Sequence, residues 1–341
     1  MNQSVDVSNL RQVILDTPEQ FQEGFKLAEH IRIEGEFDTL MFSGMGGSAL
    51  PADLLRTYLD DISRRFPESK PVTILQNRSY GLPARRPGTT LHFVCSYSGN
   101  TEETLETLEA LLAKGEPVIG VSSGGKLEAI CQEKGIQHIR LPIPNPTFQP
   151  RMGTGYFIGA FLQACMMLGL IPDVREEVIN AASRYAEKKL EIEEKGKKLA
   201  VTLAKTTPVV YSGESYKSVA LVWKIKLNEN AKTPAFWNVF PELNHNEMVG
   251  WTLPQGKFTA LFLRDPSDHP RIVKRLAITA ELLREKGIAV EVIDLEGDSV
   301  FEKMFSSVML GDFTSYYLAL EYGQDPTPVD MVEKLKHLLV D

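Results

Sequence analysis

Three hydroxyls and a glycine crowd into one short stretch, Ser96-Tyr97-Ser98-Gly99-Asn100-Thr101. It lies between the apolar run Leu91-His92-Phe93-Val94, which reads as a buried strand, and Thr104–Leu112, whose leucines recur at helical spacing. A tight turn from strand to helix leaves N–H groups at the helix start without partners. With the positive end of the helix dipole they make an anion site. Gly99 lets the backbone come close to the anion, and the side chains of Ser96, Ser98 and Thr101 add donors. No lysine or arginine lies inside the loop, so its donors are neutral and suit a phosphate monoester. The same residues also suit a plain helix cap, with Ser98 or Thr101 followed by glutamates. Three hydroxyls and a glycine exceed what a cap needs.

A second concentration of polar residues runs from Leu227 through Glu229 and Lys232 to Phe236, and on from Phe240 through His245 to Trp251. Helix breakers beside aromatics are expected of a loop entering a cleft. Glu229 and His245 supply a carboxylate base and a second acid–base group, although each also reads as an ordinary helix-end or surface residue. Arg151, in Gln149-Pro150-Arg151-Met152-Gly153, is placed either to meet a developing oxyanion or to cap the preceding helix. Gly44-Met45-Gly46-Gly47 is only part of a dinucleotide fingerprint, and the next strand ends in Gln76-Asn77 rather than an acidic ribose ligand. His245-Asn246-Glu247 matches the H-x-E of zinc deaminases, but no P-C-x-x-C follows. Neither a metal nor a cofactor is expected.

The elements that must position these groups alternate. Strands at Thr39–Phe42, Pro71–Leu75, Leu91–Val94, Val118–Val121 and His138–Leu141 are separated by helices through Asp53–Tyr58, Thr104–Leu112 and Leu127–Glu133. A helical stretch over 7–35 precedes them. This is the pattern of an α/β domain with a largely parallel sheet, whose ligands sit outside the carboxyl ends of the strands. Both glycine/serine loops fall there. Pro142-Ile143-Pro144-Asn145-Pro146 ends the first domain. Helical text at Thr154–Leu168 and a charged run over 174–205, read as a solvated helix face, lead to a second α/β unit opening at Val209. Its later strands are Thr259–Leu263 and Ala289–Ile293, with a helix over Pro270–Glu285 between them. Phe42-Ser43-Gly44 … Ser48-Ala49-Leu50 and Tyr211-Ser212-Gly213 … Ser218-Val219-Ala220-Leu221 suggest a divergent duplication. The second copy runs into Arg264-Asp265-Pro266 where the first has its hydroxyl loop, so one phosphate site is expected and the second domain supplies reacting groups. The expected domains are 1–152, carrying the phosphate loop, and 153–341, linking helices with a second sheet. The C-terminal stretch Met331–Leu339 is an amphipathic helix with solvated lysines.

With 341 residues, 43% hydrophobic and 24% charged, the chain has room for two cores. A net charge of −8 argues against nucleic acid or an anionic membrane as partner. The first residues lack the features of a signal peptide, and the apolar stretch around Phe157–Ile171 is too short to span a bilayer. Three widely spaced cysteines, Cys95, Cys131 and Cys165, read as reduced thiols in a cytoplasmic protein.

Taken in order, Gly44–Ala49, Ser96–Thr104, Asn228–Lys232, Asn244-His245-Asn246 with Gly250-Trp251, and Asp325-Pro326-Thr327-Pro328-Val329 resemble one family over nearly the whole chain. That family is the bifunctional phosphoglucose/phosphomannose isomerases, built from two sugar-isomerase (SIS) domains. The resemblance implies an α/β fold of two such domains, each a largely parallel sheet flanked by helices. It implies interconversion of glucose 6-phosphate or mannose 6-phosphate with fructose 6-phosphate through an enediolate, without cofactor, in a homodimer with shared active sites. Gly47, Ser48, Ser96, Ser98 and Thr101 would then bind the substrate. Glu229 would be the base, His245 the ring-opening residue contributed by the partner subunit, Arg151 the enediolate-stabilising arginine, and Lys336 the lysine near the ring oxygen, with Lys334 close by. Met152-Gly153-Thr154-Gly155 after Arg151, and Ala49–Asp53 after Ser48, depart from the family's usual text. Two alternatives are another SIS isomerase and a non-catalytic sugar-phosphate sensor; no basic helix-turn-helix segment favours the sensor.

Overall fold

The computed structural model describes residues 5–68, 72–83 and 88–340. The chain forms two compact units, Asp16–Ala186 and Met1–Leu15 with Glu187–Asp341.

The first unit is built on five parallel strands: β1 (Thr39–Gly44), β2 (Thr73–Asn77), β3 (Thr90–Cys95), β4 (Val118–Ser122) and β5 (His138–Arg140). Their order is β2-β1-β3-β4-β5, and β1 and β3 are in register from Thr39 opposite Thr90 to Gly44 opposite Cys95. Pro71, which the sequence places at the start of β2, lies outside the described residues. The helices are α1 (Leu10–Leu15, in the other unit), α2 (Gln20–Leu27), α3 (Leu50–Arg65), α4 (Glu102–Leu112), α5 (Gly125–Lys134), α6 (Thr154–Met167) and α7 (Arg175–Glu187). Both β1 and β3 are buried along their whole length, as strands covered on both faces must be. Phe42 and Phe93 stack at 4.9 Å and Phe161 of α6 tilts over Phe42 at 4.7 Å. Each such buried ring contributes about 1.5–3 kcal/mol. Helix α6 also crosses α2 so closely that a Cβ on Gly24 would stand 2.6 Å from the Tyr156 carbonyl oxygen. The boundary expected at 152/153 therefore falls inside this unit. The single helical stretch expected over 7–35 is instead broken: Asp16 and Pro18 turn the chain through a short 3-10 helix between α1 and α2, and no helix continues beyond Leu27 apart from turns.

The second unit has four parallel strands, β6 (Thr207–Gly213), β7 (Phe236–Phe240), β8 (Phe258–Arg264) and β9 (Ala289–Asp294), ordered β7-β6-β8-β9. Its helices are α8 (Lys189–Leu203), α9 (Lys217–Glu229), α10 (Glu247–Gly250), α11 (Pro270–Glu285), α12 (Val300–Glu321) and α13 (Asp330–Val340). Tyr211, Phe240 and Phe262 meet edge to face in its core. The stretches Leu227–Phe236 and Phe240–Trp251, expected to be loop, are instead joined by β7 and contain α10 and a 3-10 turn over Glu242–His245. Nor is the charged run over 174–205 only a solvated face. Glu193 on α8 is 4% exposed, bound bidentately by Arg11 at 2.5 and 2.7 Å and by the Tyr317 hydroxyl at 2.6 Å. Helix α13 is the opposite case, with its described side chains from Met331 to Leu339 exposed. No described helix is long and apolar enough to cross a membrane.

Candidate active site

In the first sheet the strand order reverses between β1 and β3, so the loops leaving their carboxyl ends flank the place where open parallel sheets receive ligands. The loop after β1 is a 3-10 turn, Gly46–Ser48, leading into α3. The Ser48 hydroxyl oxygen accepts the Tyr97 N–H at 2.9 Å, which ties this loop to the one after β3. There the Ser96 and Thr101 hydroxyls lie 2.8 Å apart and Ser96 Oγ accepts the Thr101 N–H at 3.3 Å. Ser98 stands exposed, its oxygen accepting the Asn100 N–H at 3.3 Å. Thr101 occupies the N-cap position of α4, but its side chain makes no capping bond. The Ser96 and Thr101 hydroxyls thus form a cradle at the helix start, with the Ser48 loop tied to it through Tyr97, where neutral donors and the helix dipole suit an anion.

Gly47 and Arg151 meet beside this cradle. A Cβ on Gly47 would stand 2.5 Å from the Arg151 nitrogen, so only glycine lets the 3-10 turn Pro150–Met152 come this near. Arg151 is 1% exposed and its Nη1 donates to Gln149 Oε1 at 3.3 Å.

Glu229, His245 and Lys336 belong to the second unit. Glu229 is the last residue of α9 and half-buried. Its carbonyl accepts Lys232 Nζ at 2.5 Å, and the same ammonium donates to the Pro326 carbonyl at 3.0 Å. His245 is exposed on a braced turn. Glu247, two residues on, accepts from the Tyr211 hydroxyl and the Asn238 amide, and Trp251 Nε1 donates to the Tyr211 oxygen at 3.1 Å. Burial, and then the Glu247 carboxylate, push the Tyr211 hydroxyl well above its ordinary value. Lys336 is exposed on α13 and pairs with Glu333 at 2.7 Å; Lys334 lies on the same helix. No cluster of three or more His, Cys, Asp or Glu that could hold a metal occurs among the described residues.

The chain is 36% identical over 345 residues to a protein of Caldicellulosiruptor bescii named bifunctional phosphoglucose/phosphomannose isomerase, a match covering 96% of this chain and 98% of that one. The chain belongs to the bifunctional phosphoglucose/phosphomannose isomerase family. A relative of the same name from Aquifex aeolicus is 34% identical over 88% of this chain and 90% of its own. The family model described as bacterial phospho-glucose isomerase C-terminal SIS domain matches residues 192–339. Among solved structures, the tagatose-6-phosphate ketose/aldose isomerase of Escherichia coli shares the fold, with a TM-score of 0.69 at 15% identity over 93% of each chain. Both sheets are therefore SIS domains.

In this member of the phosphoglucose/phosphomannose isomerase family, a third loop braces the hydroxyl cradle. After β4, Ser123 donates its N–H at 2.8 Å and its hydroxyl at 2.6 Å to the Tyr97 carbonyl. The Leu127 N–H reaches the Gly99 carbonyl at 2.9 Å, and the Lys126 N–H reaches Asn100 Oδ1 at 3.2 Å. Gly99 has φ +69°, and a Cβ there would stand 1.8 Å from the Gly124 oxygen. Ser122-Ser123-Gly124-Gly125, a second small-residue loop at the end of the neighbouring strand, is the only local sign of this brace in the sequence.

Proposed function

We propose that this chain interconverts glucose 6-phosphate and mannose 6-phosphate with fructose 6-phosphate. The observation that carries the reading is the Ser48–Tyr97 bond, which joins two strand-end loops into one hydroxyl-lined cradle in a chain of this family. In this reading Gly47, Ser48, Ser96, Ser98 and Thr101 hold the phosphate. His245 opens the ring, with Lys336 near the ring oxygen. The Glu229 carboxylate takes the proton from C2, and the electron pair left behind forms the C1–C2 double bond while the C1 oxygen gains charge. That enediolate needs a cation or donor, the role assigned to Arg151. A proton passes from the C2 hydroxyl to the C1 oxygen. C2 becomes the carbonyl as the double-bond pair takes the carried proton at C1, and the ketose is complete with no metal or nucleotide required. The two aldoses differ at C2 only, so rotation about C2–C3 of the open chain presents either proton to one base. In this reading the phosphate loop and Arg151 belong to the unit Asp16–Ala186, and Glu229, His245 and Lys336 to the unit that contains Glu187–Asp341. The working molecule is a cytoplasmic homodimer, with His245 supplied by the partner. His245's exposure and the apolar side chains left exposed on α13, among them Leu335 and Leu338, support that assembly.

Purified protein, assayed without added metal for fructose 6-phosphate formed from each aldose, tests the activity; turnover of neither would overturn it. Glu229→Gln should cut kcat by about 10²- to 10⁴-fold, the range for loss of a general base, while sugar-phosphate binding persists. Sedimentation at assay concentration tests the dimer, and an active monomer would remove the partner's His245 from the scheme.

A further inference from the structure

The seam between α9 and α12 contains a feature that burial alone does not explain. Lys226 Nζ lies 2.7 Å from Asp312 Oδ1, and both side chains are 2% exposed. One turn earlier on α9, the Trp223 ring lies over Gly311, where a Cβ would stand 3.0 Å from its atoms. The Trp223 indole N–H donates to the Ser307 carbonyl at 2.9 Å. One turn later, Asn230 Nδ2 donates to Ser315 Oγ at 3.0 Å, with both residues fully buried. Three polar contacts thus follow one another at helical spacing along a single seam.

Stability does not call for such an ion pair. Removing each ion from water costs several kcal/mol, and well-packed apolar residues of similar volume often do as well or better. What the pair specifies is register. Advancing α9 by one residue would shift it about 1.5 Å and turn it about 100°, leaving a lysine and an aspartate buried apart. Glu229 lies three residues beyond Lys226, at the end of the helix so fixed. Lys232, at φ +56°, then clamps the Glu229 carbonyl to Pro326.

We propose that Lys226 and Asp312, with Asn230 and Ser315, are positioning residues that set the place of the Glu229 carboxylate. This rests on the reading of Glu229 as the base. None of the four is assigned a contact with substrate.

The test is a double substitution, Lys226→Met with Asp312→Leu, in the full chain. The thermal midpoint should hold or rise and KM for fructose 6-phosphate should stay within about twofold, while kcat falls about 10- to 100-fold, the scale of a 1 Å misplacement. An unchanged kcat in a folded double variant would overturn the proposal. Should that variant not fold, Ser315→Ala decides: it removes one oxygen and should lower kcat about threefold at constant KM, in keeping with a smaller displacement. Unchanged kcat there would equally overturn it. Glu229→Gln run in parallel separates the two readings. An inactive Glu229→Gln beside a fully active double variant defeats the positioning role alone, whereas an active Glu229→Gln defeats the base assignment itself.

Discussion

The Tyr216 hydroxyl donates to Asp265 Oδ2 at 2.9 Å, joining the loop after β6 to the loop after β8. Ser48 and Tyr97 make the same join between the loops after β1 and β3. At the corresponding switch point of the second sheet, however, the anion is part of the chain. Asp265 is 8% exposed and also takes Lys303 Nζ at 2.8 and 3.0 Å, the Ser267 hydroxyl at 2.7 Å and the Ser267 N–H at 2.9 Å. A carboxylate of the chain itself is held there by donors.

Replacing that carboxylate by an amide removes the charge facing Lys303 and one of the two acceptor oxygens. Asp265→Asn should destabilise the second unit by about 1.5–3 kcal/mol, the usual worth of hydrogen bonds to a charged group, with KM for sugar phosphate unchanged. Urea unfolding beside steady-state kinetics checks both halves, and a raised KM would place Asp265 in substrate binding.

Acid should weaken the same unit. Burial alone would raise the Asp265 carboxyl, but Lys303, Ser267 and Tyr216 together hold it below its ordinary value. Burial would likewise raise Glu193, and Arg11 and Tyr317 hold it down. A carboxyl depressed by folding stabilises fully above its unfolded pKa, about 3.9 for Asp and 4.3 for Glu, and that stability is lost as pH falls through the lower folded value. Unfolding free energy should therefore be level from pH 7 down to about 5 and decline below about 4. Glu193→Gln should flatten part of that decline in a urea–pH series.

Gly99 sits where no other residue fits. Gly99→Ala puts a Cβ against the Gly124 oxygen at a positive φ, so the two loops must part. KM for fructose 6-phosphate should rise about tenfold or more, the equivalent of about 1.4 kcal/mol of lost binding. An unchanged KM would detach this loop from the phosphate.

Ser48 and Ser98 should separate structure from binding. Ser98 is exposed and Ser48 is 7% exposed with the Tyr97 N–H on its oxygen. Ser48→Ala should cost about 1 kcal/mol in stability and raise KM, whereas Ser98→Ala should raise KM alone. Thermal melts with kinetics on both variants distinguish the two effects.

Much of this was legible in the chain because the signals were local. Leu91–Val94 followed by serines and Gly99 announces a buried strand, a turn and a helix in one continuous stretch, and β3, its loop and α4 are there between Thr90 and Leu112. Strand β7 gives little signal because it is only five residues long, set between Pro234 and Pro241 amid polar text. Helix α12 was passed over altogether. Nearly every residue from Phe301 to Leu320 is buried, so it has no polar face to create a period. The reading of Glu193 as solvated failed for another reason: its partner Arg11 lies 182 positions away. The brace of Ser123, Lys126 and Leu127 on the hydroxyl loop is tertiary in the same way.

Cys95, Cys131 and Cys165 all lie in Asp16–Ala186 and are buried. Burial pushes the Cys131 thiol up to about 11 and Cys165 to about 12, and raises Cys95 as well. Trp223, Trp237 and Trp251 all lie in the other unit. The two halves thus carry separate built-in reporters. A thiol reagent at neutral pH labels the molecule only when the phosphate-loop half opens, while indole fluorescence follows the half bearing Glu229, and the lag between them times one half against the other.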